Sequence, residues 1–257
     1  MFVIVDGIDG CGKGTIADAL AAARRAEGAR VFDVREFTKR EHRLPEAEEL
    51  ADYDVLISAE PTHTWIGSAI REELIRDNGR SYAARATAEA YALDRLILYR
   101  RVLLPARAGG KDIIQERSVT SSLIYQPIQR EALPIEEVAA LEGNAFALAH
   151  PPDLCIIVST DPPRAVQRLQ LRKTKQDAAI FEKLPILQKL HERYHAPWFR
   201  TFLAQHGWRI EFLDANGAVE DAVAHARSLW TSLGKSPITE ASNSNKITSH
   251  QSSNFQV

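Results

Sequence analysis

Cysteine is scarce in this chain: only Cys11 and Cys155 occur among 257 residues. One lies in a glycine-rich turn and the other in an apolar run, so neither a disulfide framework nor a thiolate metal site is expected. A basic excess is also missing. Lys and Arg number 32 against 34 Asp and Glu, a formal net charge of −2, which argues against a nucleic-acid partner. No apolar run reaches the roughly 20 residues needed to span a bilayer. The first residues run straight into a strand pattern, with no visible signal peptide, and no internal repeat is found. A cytosolic protein without membrane contact is the simplest expectation. Hydrophobic residues make up 45% of the chain, enough for a sizeable core in one large α/β domain or two small ones.

Short apolar strand candidates fall at 2–5, 31–34, 55–57, 112–115, 154–158 and 209–213. Helical patterns lie between most of them, at 16–26, 66–75, 83–103, 135–148, 163–173, 178–195 and 219–233. Alternating strands and helices predict a parallel sheet covered on both faces. Ligands then bind at the carboxyl ends of the strands. Residues 36–52 are crowded with charge and contain Pro45, which predicts an exposed insertion between two strands. Residues 234–257 turn to Ser, Asn, Thr and Gln, and a disordered tail is expected there.

The run Gly7-Ile8-Asp9-Gly10-Cys11-Gly12-Lys13-Gly14-Thr15 follows the first strand and precedes the first helix. Glycines let a backbone wrap an anion with its N–H groups pointing inward, and the helix N-terminus adds partial positive charge. Lys13 then reaches the outer phosphates of a nucleoside triphosphate. Gly10, Cys11, Gly12, Lys13, Gly14 and Thr15 are therefore the expected ATP-binding residues. The usual Ser or Thr after the lysine is replaced by Gly14, and the hydroxyl comes one residue later at Thr15.

This loop resembles that of thymidylate kinases, and four further segments follow in that family's order. They are Glu60-Pro61-Thr62 with Ile66-Gly67 and Arg71; Tyr91 to Arg95; Glu116-Arg117 with Ser121-Ser122 and Tyr125-Gln126; and the basic stretch 168–175. The resemblance covers roughly residues 1–230, apart from 36–52. It implies a three-layer α/β P-loop kinase fold with a parallel central sheet, in one domain over 1–233. It also implies transfer of the γ-phosphoryl of MgATP to dTMP, giving dTDP and ADP, by a homodimer.

Tyr91 and Arg95 are four apart on an expected helix and share a face. The resemblance implies that Tyr91 stacks on thymine and Arg95 donates to its O4, a position where cytosine carries an amino donor. Arg117, at the carboxyl end of a strand, has the guanidinium fork that suits an acceptor phosphate, and Arg71 is a candidate second clamp. By resemblance, Ser122 and Gln126 read the base edge, Tyr125 packs on the sugar and Asp9 accepts from the 3′-hydroxyl. Thr15 and Glu116 are the candidate Mg²⁺ residues. Arg168, Arg172 and Lys175 step along one helical face like a lid over about 168–178, with Arg168 on ATP and Arg172 as the catalytic arginine alongside Lys13 and Arg117.

Several positions depart from the family pattern. Ala59 replaces an Arg, Glu116 replaces an Asp, and the lid carries few arginines. Glu60-Pro61 also resembles the segment of deoxynucleoside kinases that holds a carboxylate base, which would make Glu60 that base. Another nucleoside monophosphate kinase, or a nucleotide-binding protein without transfer activity, are further alternatives. His191-Glu192-Arg193-Tyr194-His195 matches a two-histidine zinc pattern, but Pro197 ends the helix and no third ligand is evident. An amphipathic helix is the expectation there.

Overall fold

The apolar runs become six parallel strands: β1 Phe2–Asp6, β2 Val31–Asp33, β3 Val55–Ala59, β4 Asp112–Glu116, β5 Leu154–Ser159 and β6 Ile210–Asp214. The computed structural model describes residues 1–76, 78–129, 131–171 and 181–234. The strands are ordered β2-β3-β4-β1-β5-β6 in one sheet. The inner strands carry apolar runs at their centres because helices cover both faces. All five residues of β1 are buried, and so are Val55, Leu56 and Ile57 of β3. Each apolar side chain among them contributes about 1.5–3 kcal/mol by leaving water. The edge strand β2 is only half-buried. This is the three-layer parallel architecture that the alternating pattern predicts.

Thirteen helices join the strands among the described residues. They are α1 Lys13–Ala26, α2 Val34–Glu41, α3 Ala47–Leu50, α4 Trp65–Ala69, α5 Ala84–Leu98, α6 Leu104–Ala108, α7 Val119–Tyr125, α8 Ile135–Ala140, α9 Glu142–Leu148, α10 Pro162–Gln170, α11 Leu184–His195, α12 Pro197–Gln205 and α13 Val219–Leu233. A π-helical turn extends α4 through Leu74, and another links α5 to α6. In α1, Ile16, Ala17, Leu20 and Ala21 form the buried stripe, the 3.6-residue period of a half-covered helix.

Two expectations need correction. Residues 36–52 keep their exposed charges but are not merely an exposed insertion. Asp33 accepts from the backbone N–H groups of Arg35 and Glu36, so α2 starts on an aspartate cap. Phe37, Thr38, Leu44 and Leu50 then bury against the sheet layer. The helix expected over 135–148 breaks at Leu141, which is extended (φ −57°, ψ 134°). Pro197 closes α11 and also opens α12 from its first turn, where the missing N–H costs nothing.

The break at Leu141 lets α9 lie directly on α5. A Cβ on Gly143 would stand 1.7 Å from the Ala92 carbonyl oxygen, so only glycine permits this approach. Gly143→Ala is expected to destabilise the fold by about 1–3 kcal/mol through overpacking. A thermal melt reads this directly, and an unchanged melting temperature would refute the close-packed contact.

The topology brings several chain segments to one end of the sheet. Val5 pairs with Glu116, and Ala59 also pairs with Glu116. The Arg117 N–H donates to Val5 at 3.0 Å, and the Glu60 N–H donates to Glu116 at 2.9 Å. The carboxyl ends of β1, β3 and β4 are thereby fixed side by side.

Candidate active site

A cleft of about 560 Å³ opens over those three strand ends. Its floor is the glycine-rich turn. Gly10 adopts φ +81°, and a Cβ there would lie 2.4 Å from the Ala165 carbonyl oxygen, so the turn needs glycine on both counts. Helix α1 starts at Gly12 with no side-chain cap and no acidic residue in its first turn. Its first N–H groups therefore face the cleft as an anion site. Lys13 is buried, and its Nζ donates to the Ile8 carbonyl at 3.1 Å and to Asp9 at 3.4 Å. Cys11 is buried too, and burial pushes its thiol above the ordinary range, so it is an inert part of the turn.

Beside the glycine-rich turn, Arg117 is the central group. Its backbone is left-handed (φ 66°), and its fork contacts Asp9 and donates to Ser121 Oγ at 3.0 Å. The Tyr125 hydroxyl donates to the other Asp9 oxygen at 3.2 Å. Burial pushes the Asp9 carboxyl up, but Arg117 and then Lys13 outweigh it and hold it well below the usual range. Asp9 therefore stays charged and fixes Arg117. Beneath them lies Asp6, fully buried, which accepts from Thr120, Ser121 and Tyr194. Asp6 was not singled out in the sequence. Its only signal is its place at the end of β1.

Glu116 faces Gly14: a Cβ on Gly14 would lie 3.3 Å from Glu116 Oε2. Among the described residues its carboxylate has no ion pair or side-chain hydrogen bond. Thr15 lines the same wall and is exposed. A free carboxylate and a hydroxyl beside the anion site suit Mg²⁺, which keeps much of its water and binds phosphate oxygens. Such a site needs few protein ligands, and no group of three or more His, Cys, Asp or Glu that could hold a metal is found among the described residues.

The other end of the cleft is apolar-walled and polar-tipped. Tyr91 and Arg95 of α5 both line it. Arg95 is 1% exposed and Glu60 is 3% exposed, and Arg95 Nη2 lies 2.7 Å from Glu60 Oε2. The contact lacks hydrogen-bond alignment, and both Glu60 oxygens and Arg95 Nε remain without a hydrogen-bond partner. Ser122 Oγ and Gln126 Oε1 are likewise buried and unpartnered. Buried polar atoms are nearly always paired in a folded protein, so this concentration of unpartnered groups marks a ligand position. Arg95 Nη1 donates to Asn144 of α9, whose amide donates to the Val138 carbonyl at 2.6 Å. Asn144 was not foreseen, since nothing in its local sequence distinguishes it.

Arg71 spends its fork on the turn that follows β3, donating through Nε to the Pro61 and Thr62 carbonyls at 2.9 and 3.0 Å. It lines the cleft and shapes its entrance. Arg168, expected in a lid, sits in the last turn of α10. It donates to the Cys11 carbonyl at 3.1 Å and to the Ala215 carbonyl at 2.7 Å, so it braces the glycine-rich turn from the β5–β6 side. Arg172 and Lys175 lie outside the described residues, as does 235–257. His195 is engaged with Ser159 Oγ at 2.9 Å and stacks on Phe212 at 4.9 Å.

Burial pushes the Glu60 carboxyl up to about 7, against the pull of Arg95. Its ordinary value is 4.5, so between these values the folded state holds a proton that the unfolded chain has lost. Stability should therefore fall as pH rises through this window. Glu60→Gln cannot titrate there. The melting temperature of the native protein relative to that variant is expected to drop between pH 5 and 7.5, and a flat difference would count against the buried proton.

A family model described as thymidylate kinase matches residues 41–223. The probable thymidylate kinase of Pyrococcus abyssi is 31% identical over 191 residues, covering 73% of this chain and 77% of that protein. The thymidylate kinase of Lactobacillus delbrueckii subsp. bulgaricus is 28% identical, over 87% of this chain and 92% of the relative. That of Cereibacter sphaeroides is 29% identical, over 92% and 97%.

Proposed function

The chain belongs to the thymidylate kinase family, and on that premise we propose that it transfers the γ-phosphoryl of MgATP to dTMP, giving dTDP and ADP. The observation that carries this is the cleft's division into two ends. Lys13, Arg117 and the uncapped α1 N-terminus gather cationic character at one end. Tyr91, Arg95, Ser122 and Gln126 offer a ring face and unpartnered polar atoms at the other. A nucleotide has the same division.

Phosphoryl transfer mainly requires alignment and charge neutralisation. The loop N–H groups and Lys13 hold the donor phosphates. Arg117, kept in place by Asp9 and Ser121, holds the acceptor phosphate. Arg95, oriented by Glu60 and Asn144, reads the base edge. Arg172 is the candidate catalytic arginine. Thr15 and Glu116 would hold Mg²⁺, which would supply charge neutralisation at the phosphate oxygens. A homodimer in the cytosol is part of the same reading. Among the described residues, no helix is long and apolar enough to cross a membrane.

Glu60 belongs to the base end, against Arg95. A phosphate monoester with a second pKa of about 6 needs no general base. The test is a coupled ADP-release assay with MgATP and dTMP, dUMP, dCMP, dGMP, AMP and thymidine in parallel. Strong turnover is expected with dTMP, and Glu60→Gln is expected to retain kcat within about tenfold. Turnover with thymidine alone, abolished in Glu60→Gln, would instead make Glu60 a base and the protein a nucleoside kinase.

A further inference from the structure

Helix α2 comes from the segment that the sequence marks as a charged insertion. Its core-facing residues Val34, Phe37 and Thr38 are buried. The Phe37 ring packs on Phe32 of β2 at 5.3 Å, so the helix is anchored and its other face is fixed in direction. Arg35 and Lys39, four apart and hence on one face, both line the active-site cleft next to Thr15 and Ala59. Ala59, which ends β3 and offers only a methyl group, lines the same cleft.

Arg35 is oriented for contact. Asp33 Oδ1 accepts from its Nε at 3.0 Å and Asp33 Oδ2 from its Nη2 at 2.7 Å. Nη2 also reaches Asp18 on α1 at 2.7 Å, but Asp18 is 62% exposed and its bond is open to water. Arg35 Nη1 has no acceptor among the described residues. Among the described residues Lys39 is held only by Glu36, at 2.6 Å on the surface. A guanidinium that a carboxylate fixes on one edge presents the remaining edge to an anion.

We propose that Arg35 and Lys39 are a phosphate-binding pair on the acceptor side of the cleft, engaging the 5′-phosphoryl group of the bound nucleotide. The acceptor side follows from the topology. Arg168 and Ala215 lie beyond β1 towards β5 and β6, whereas α2 leans on β3 at the opposite side of the glycine-rich turn. The pair brings two cationic donors to a wall that also carries Asp18, Glu36 and Glu116, and so offsets part of the repulsion those carboxylates exert on an incoming phosphate. This inference rests on the nucleotide reading of the cleft.

The test compares dTMP with thymidine, which lacks the phosphate, by calorimetric titration of the intact chain and of Lys39→Met, Arg35→Lys and Arg35→Met. Lys39→Met and Arg35→Met are expected to weaken dTMP about tenfold, the scale of one partly exposed charge-assisted hydrogen bond. Thymidine affinity should not change. Arg35→Lys keeps the charge but loses the fork, and should fall between. Lys39→Met removes only an exposed ion pair, whose stability value is small, so its melting curve should match the native one. An unchanged dTMP-to-thymidine ratio in both Met variants would overturn the pair and leave α2 a purely structural helix. If the native protein bound thymidine and dTMP equally, no phosphate subsite would exist and the pair would fall with the native control intact. If it bound neither, the nucleotide reading itself would fail, and the pair with it.

Discussion

Lys13→Met is expected to lower kcat about a thousandfold, the cost of removing one preorganised charge from a phosphoryl-transfer site. Lys13 is the first residue of the uncapped α1, and it is buried with its Nζ resting on the Ile8 carbonyl and Asp9. Neither contact is strong enough to hold it: one is to a neutral carbonyl and the other is 3.4 Å long. An arriving triphosphate competes for the ammonium with far greater charge. Asp9 already has Arg117 and Tyr125 as partners, so releasing Lys13 does not leave it bare. Methionine preserves the stem's packing, and its melting curve should stay near the native one. Lys13→Arg should rescue little, because a planar fork does not fit where a compact ammonium threads a tight turn. Steady-state kinetics with MgATP and dTMP test this. A Met variant within tenfold of native kcat would remove Lys13 from the mechanism.

Arg95→Ala is expected to have two separable effects. The first is on stability. Arg95 and Glu60 are a buried ion pair, and deleting one member leaves an uncompensated buried group, at a cost of about 3–5 kcal/mol. The raised Glu60 carboxyl relieves part of this below pH 7, because it takes up a proton. Arg95→Ala should thus melt closest to native at mildly acidic pH. The second effect is on recognition. If Arg95 donates to the thymine O4, its loss should reduce kcat/KM for dTMP by about a hundredfold or more relative to dCMP. Arg95→Ala combined with Glu60→Gln separates the two. The double variant should recover most of the stability and none of the preference for dTMP. Recovery of both would mean that Arg95 acts only as a structural counter-ion.

Gly7 to Thr15 could be read as a phosphate loop because its chemistry is local: glycines, a lysine and a helix start within one turn. The six strands were legible for a similar reason, since a strand buried on both faces needs an unbroken apolar run. Helix ends and breaks were less so. The break at Leu141 answers to Ala92, some fifty positions earlier in the chain, and no local signal reports such a contact. The segment 36–52 was misjudged because charge density reads as exposure. Its few apolar residues, Phe37, Leu44 and Leu50, are enough to seat it against the sheet. Arg168 fits the spacing of a basic helical face, yet its fork is spent on the carbonyls of Cys11 and Ala215.

The sequence by itself determined the parallel α/β architecture, the glycine-rich turn before α1 and the placing of Tyr91 and Arg95 on one helix, because each follows from local spacing along the chain. Tertiary structure alone decided which side chains hold those groups in place. Asp6 beneath Arg117, Asn144 behind Arg95, and Arg35 with Lys39 beside Thr15 each depend on segments far apart in the chain being brought together. The physical reason is that hydrogen bonds and ion pairs are set by distances of about 3 Å, and distances across the fold follow from strand order and helix packing rather than from any local pattern.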